Sequence, residues 1–204
     1  MMLTIQNEVR RTRLTVVAYD ITCPKRAYRV RRVLDALHHA KQYSVYELLL
    51  KAPMFNGVLA ELSVLLKFPD DLLAVWWPWD GMRLHMINGR LIIAAHFGQP
   101  CRESVVLPQN IGNFIVCYDI SDPDALRAVA HELAPETAMV QRSVYWLRAP
   151  VSELTKLLMR CHTHLGENDR LWAYPLRGSQ ALWHVGTPAT SILPITTHHW
   201  RKKP

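Results

Sequence analysis

Glycine is scarce in this chain, 8 of 204 residues, and no two stand close enough to form a Gly-rich loop that would cradle a phosphate or nucleotide. That shortage argues against a small-molecule sensor. The four cysteines, at 23, 101, 117 and 161, show no CxxC spacing. A disulfide framework and a zinc site are therefore not expected, and the thiols read as reduced. Apolar runs never exceed strand length, so no segment reads as crossing a membrane. Arg10, Arg11 and Arg13 are not followed by an apolar run long enough for a signal peptide. The expectation is a cytoplasmic protein. The 10 histidines include His38-His39, His162-x-His164 and His198-His199, none with the i,i+4 spacing and acid of a helical zinc motif. They are expected on the surface or against partners.

What the chain does have is a copy of itself. Residues 17–21 read VAYDI and residues 116–120 read VCYDI, which puts Asp119 99 positions after Asp20. Gln42-Tyr43-Ser44-Val45-Tyr46 returns at the same offset as Gln141-Arg142-Ser143-Val144-Tyr145. Pro24 and Pro123, and Leu34 and Leu133, hold that register. Trp77-Pro78, Gly81 and Gly89 are answered at an offset of 97 by Tyr174-Pro175, Gly178 and Gly186. A chain of 204 residues, half of them hydrophobic, has room for two domains of about 100 residues with a core each.

Within one copy the periodicities name the elements. Leu14 to Tyr19 is an unbroken apolar run of the kind found in a central strand. Pro24 suits the first turn of a helix, and Val30, Val33, Leu34 and Leu37 line one face of a helix expected over 24–40. Tyr43 to Leu50 reads as strand, either single or bent into two. A second helix follows from Phe55, Val58, Leu59, Leu62 and Leu66, with Leu154, Leu157, Leu158 and Cys161 as its twin. A closing strand is expected over Leu73–Trp77 and over Leu171–Tyr174, and Asn88-Gly89 between apolar runs signals a hairpin. Such an order suits an α+β split βαβ unit with two helices on one face of an antiparallel sheet. The predicted layout is a first domain over 1–96, a linker over 97–112, a second domain over 113–187 and a tail over 188–204. The two sheets are expected to pack face to face as a pseudo-twofold dimer. Trp76, Trp77 and Trp79 read as packing residues.

Net charge is +7, which favours a polyanionic partner, nucleic acid before membrane. Lys25, Arg29 and Arg32 lie at i, i+4, i+7 opposite the first helix's apolar stripe, flanked by Arg26 and Arg31. Arginine forks match phosphate geometry, so this face is the expected site of sequence-independent DNA-backbone contact. In the second copy Asp124, Ala125, Ala128, Ala130 and His131 stand at those places, and Arg127 remains. The first copy is therefore expected to carry more of the duplex contact, with Arg142, Arg148 and the tails contributing.

A strand ending in Tyr-Asp-Ile, then Gln-x-Ser-Val-Tyr, an amphipathic helix and a strand ending in aromatic-Pro, twice over, resembles the CRISPR-associated protein 2 family across residues 14–89 and 113–186. That resemblance implies ferredoxin-like βαββαβ domains, usually single and paired as homodimers, here fused. It implies a scaffold for spacer acquisition in CRISPR adaptation, which holds duplex DNA and bridges subunits of the integrase, Cas-one. The C-terminal tail, with Ile192-Leu193-Pro194-Ile195, is the expected integrase contact. Some relatives are metal-dependent nucleases, and their strand-end aspartate maps onto Asp20 and Asp119. The second reading is thus an endonuclease using Mg²⁺, or Mn²⁺ as substitute, held by Asp20 and Asp119 as metal and catalytic residues. For either aspartate alone the ordinary role is a turn or capping residue. Thr22, Ser44, Ser121 and Ser143 are the nearby hydroxyls that could position a water.

Overall fold

Leu14 to Tyr19 form the buried middle of strand β1 (Thr12–Asp20) in the computed structural model, which describes residues 12–42, 44–67, 69–87, 90–94, 112–176 and 182–185. The expected tail and almost all of the expected linker lie outside the described residues. After β1 come helix α1 (Pro24–Asp35), strands β2 (His38–Gln42) and β3 (Val45–Lys51), helix α2 (Ala52–Leu65) and β4 (Leu72–Trp76). The second copy repeats this with β7 (Gly112–Asp119), α3 (Pro123–Leu133), β8 (Ala138–Gln141), β9 (Val144–Ala149), α4 (Val151–His162) and β10 (Arg170–Leu176). Between them lies the hairpin of β5 (Arg83–Ile87) and β6 (Arg90–Ala94), and β11 (Leu182–Val185) follows β10.

The strand order β4-β1-β3-β2 in one sheet and β10-β7-β9-β8 in the other is the ferredoxin-like arrangement, antiparallel throughout. α1 stops sooner than its periodicity predicts. His38 to Gln42 leave the helical path to pair with β3, because sheet hydrogen bonds outweigh weak local helix preference. The stretch from Val45 onward is correspondingly one strand rather than two.

Each unit has its own core. In the first, Val17 and Leu48 of the sheet meet Val30 and Leu34 of α1 and Leu62 of α2. In the second, Val116, Leu147, Val129, Leu133 and Cys161 take the same places, each 99 positions on. The helix-free sheet faces are buried as well, through Val16, Ala18, Ala74 and Trp76 in one unit and Ile115, Cys117, Trp172 and Tyr174 in the other.

The division between units does not follow the repeat. The first sheet gains β11 beside β4, and the second gains β5 and β6 beside β10. The first unit thus takes in 183–185, and the second takes in the chain from Pro78 through β6. An added strand satisfies the edge N–H and C=O groups that β4 and β10 would otherwise leave open. Gly81, at φ 67°, turns the chain between β4 and β5, a backbone region open to glycine at little cost.

Candidate nucleic-acid interface

β1 and β7 deliver their aspartates to equivalent places. Asp20 ends β1 opposite Leu72 of β4, and Asp119 ends β7 opposite Arg170 of β10. Both are half-buried. The Tyr19 N–H donates to the Ser44 carbonyl at 3.2 Å, and the Tyr118 N–H donates to the Ser143 carbonyl at 3.2 Å. The rings stack behind these bonds, Tyr19 on Tyr46 at 6.1 Å between centroids and Tyr118 beside Tyr145 at 5.8 Å. The two repeated motifs are therefore one local structure, in which the Ser-Val-Tyr turn holds the strand end.

Both turns after the aspartates are tied down by a second carboxylate that sequence reasoning missed. Asp71, fully buried, accepts from Arg26 Nε at 2.6 Å and Nη2 at 2.9 Å, and from the Lys67 N–H at 2.9 Å. The Thr22 N–H also bonds it. Burial pushes the Asp71 pKa up, but the Arg26 fork and the Lys67 N–H outweigh it and leave the carboxyl below the usual range. Asp169 does the same in the second unit. It accepts from the Ser121 N–H at 3.0 Å, the Ser121 hydroxyl at 3.3 Å and the Gly166 N–H at 3.0 Å. The Ser121 and Gly166 N–H groups lower its pKa. The signal in the sequence was an Asp next to the start of each closing strand. Thr22 and Ser121, expected as water-positioning groups, are both bonded into this turn.

α1 presents the predicted basic face with two of its members diverted. Val30 and Leu34 are buried, and Lys25, Arg29 and Arg32 are exposed on the far side. Arg26 is bound to Asp71, and Arg31 Nε donates to the Tyr19 hydroxyl at 3.4 Å. No side chain caps the start of α1, and its first turn holds no acid. α3 is the opposite: Asp122 caps it by accepting from the Asp124 and Ala125 N–H groups at 2.8 and 2.7 Å, and Arg127 is paired with Asp124. A helix N-terminus carrying carboxylates repels phosphate, so the electrostatic asymmetry read from sequence persists in the fold. Arg142 is exposed in the β8–β9 turn, its carbonyl accepting from the Tyr118 hydroxyl at 2.8 Å. Arg148 is exposed on β9 opposite Asn113.

Among the described residues no three of His, Cys, Asp or Glu gather as a metal-binding group. Mg²⁺ is commonly held by one or two carboxylates with water completing its shell; a half-buried strand-end aspartate meets that modest requirement. Among the described residues, Cys23, Cys117 and Cys161 take part in no disulfide. Trp76 is buried, Trp77 packs edge-on against Phe55 at 5.2 Å, and Trp79 lies against the second core.

A protein-family model, that of the CRISPR associated protein Cas2, matches residues 13–77 and 113–182. Similar curated proteins include CRISPR-associated endoribonuclease Cas2 4 of Rhodospirillum rubrum, 31% identical over 61 residues that cover 30% of this chain and 49% of that protein. CRISPR-associated endoribonuclease Cas2 1 of Nitrosomonas europaea is 31% identical over 81 residues, 39% of this chain and 77% of that protein. The chain thus spans about half the length of the first of these relatives. A hypothetical protein from Thermus thermophilus, of solved structure, is 26% identical with a TM-score of 0.33, covering 40% of this chain and 95% of that one.

Proposed function

The chain belongs to the Cas2 family, and from that premise we propose that it serves CRISPR adaptation as a scaffold that holds duplex prespacer DNA and bridges integrase (Cas-one) subunits. The observation that carries this reading is the solvent-facing row of Lys25, Arg29 and Arg32 on α1 in a chain of net charge +7. Guanidinium and ammonium groups on one exposed helix face displace counterions from a phosphate backbone without reading bases. Arg142 and Arg148 add exposed positive charge in the second unit. The integrase would dock through residues 188–204.

A fluorescent duplex titrated across salt concentrations tests the DNA half of this reading. Arg29→Glu with Arg32→Glu is expected to weaken binding and to reduce the slope of log affinity against log salt by about 2. An unchanged slope removes α1 from the interface. Deleting residues 188–204 is expected to abolish co-purification with the integrase while duplex binding persists.

A second reading, a metal-dependent endonuclease, is favoured by one specific observation. Both units place an aspartate at the same strand end, held by the same Tyr–Ser backbone bond, and two relatives carry the name endoribonuclease. In each unit the strand-end aspartate, Asp20 or Asp119, would serve as a Mg²⁺ ligand, and the ion when bound supplies an activated water and offsets charge on a phosphodiester. The chain's own part is to orient the carboxylates through the Tyr19 and Tyr118 backbone bonds. Cleavage of DNA or RNA that needs Mg²⁺ or Mn²⁺ and vanishes in Asp20→Ala with Asp119→Ala is the expected result; cleavage that survives the double replacement rules these carboxylates out.

A further inference from the structure

We propose that Asp71 is a positioning residue for the basic face of α1, an inference that rests on the duplex-binding reading. Its carboxylate lies in the turn before β4 and is reached by three separate elements: the Thr22 N–H from the β1–α1 turn, the Arg26 fork from α1 and the Lys67 N–H just past α2. Thr22 stands two residues after Asp20, and Arg26 stands three residues before Arg29. A buried carboxylate is tolerated only when its oxygens are filled by donors, so the turn between Asp20 and α1 is held to the geometry that fills them.

The second unit shows what the arrangement is for. Asp169 holds the equivalent turn through Ser121 and Gly166, but Ala125 stands where Arg26 stands in the first. α3 instead has the side-chain cap of Asp122. α1 has no such cap, and the Arg26–Asp71 fork anchors its first turn in place of one. The charged version of the latch thus occurs in the unit whose helix bears Lys25, Arg29 and Arg32. Asp71 leaves phosphate untouched; it determines where the residues that touch phosphate stand.

Charge and position make opposite demands here, which makes the proposal testable on the full chain. Asp71→Asn raises net positive charge and frees Arg26, so on charge alone it tightens DNA binding. Asp71→Glu keeps the charge and displaces the oxygens by one methylene, so on charge alone it changes nothing. As a positioning residue, Asp71 predicts that both variants bind a fluorescent duplex about tenfold more weakly near 0.1 M salt, with the salt slope lower by about 1, the loss of one phosphate contact. The Thr22 and Lys67 amides are expected to exchange hydrogen faster in both. Wild-type or tighter binding by a folded Asp71→Asn chain overturns the proposal. Should that variant fail to fold, the charge-preserving Asp71→Glu chain decides: wild-type binding by it overturns the proposal. If the wild-type chain shows no duplex binding dependent on Arg29 and Arg32, the parent reading falls; if it binds and amide exchange at Thr22 and Lys67 is unchanged in the variants, the latch alone falls.

Discussion

Arg26 and Arg29 sit about one helical turn apart on α1, one bound to a fully buried carboxylate and the other facing solvent. The sequence puts both on one basic face, Arg29 in the spaced row and Arg26 flanking it; the partner that separates them is 45 residues away in Asp71. Arg26→Ala strands a buried charge and is expected to cost about 3 kcal/mol or more in urea unfolding. Arg29→Ala is expected to stay within about 0.5 kcal/mol while weakening duplex binding. Acid sensitivity follows from the same residues. The pKa values of Asp71 and Asp169 are lowered in the folded chain, so their stabilisation is full above about pH 4 and is lost as pH falls through the lowered values. Melting temperature followed from about pH 5 downward should fall less steeply in Asp169→Asn than in the wild-type chain. Equal slopes would mean that the Ser121 and Gly166 bonds do not hold the charge. Asp20, Asp119 and the α1 cations were legible in the sequence because repeated motifs and i, i+4 spacing are local. Asp71 and Asp169 were not, since nothing within a few residues of either announces what it bonds.

α2 and α4 occupy the same place in the two units and differ in what they show to solvent. α4 carries Glu153, Lys156 and Arg160, with Arg160 paired to both Glu132 and Glu136 of the α3 side. α2 holds one charged residue, Glu61, and leaves Met54 and Val64 exposed at 49% and 83%. Gly57 lies midway along α2, and a Cβ there would meet nothing within 4 Å. Since glycine in a helix interior costs about 1 kcal/mol relative to alanine, Gly57→Ala is expected to raise stability by about 0.5–1 kcal/mol in the same unfolding assay. A loss of stability would show that something approaches Gly57 closely. The buried faces of α2 and α4 were readable from apolar spacing alone. The end of α1 was not, because His38 to Ala40 fall within the expected helix and instead join a strand through pairing with β3.

At the scale of the whole chain, fusion frees the two copies to diverge. A homodimer must present the same helix twice, whereas this chain presents α1 with Lys25, Arg29, Arg31 and Arg32 exposed and α3 with an acidic cap. The duplex contact is accordingly expected to be lopsided. Arg127→Glu on α3 should lower duplex affinity far less than Arg29→Glu with Arg32→Glu on α1, read in one salt titration; equal losses would restore a symmetric interface.

The amino-acid sequence by itself determined that there are two copies, that each is an α+β unit of the split βαβ kind with two amphipathic helices, and that one copy is basic, because periodicity, turn residues and charge act over a few positions. Only the tertiary structure decided that β11 joins the first sheet, that β5 and β6 join the second, and that Arg26 belongs to Asp71. Those outcomes turn on which strand edge or buried carboxylate is left to be filled once the chain has collapsed, a competition among distant groups that no local pattern records.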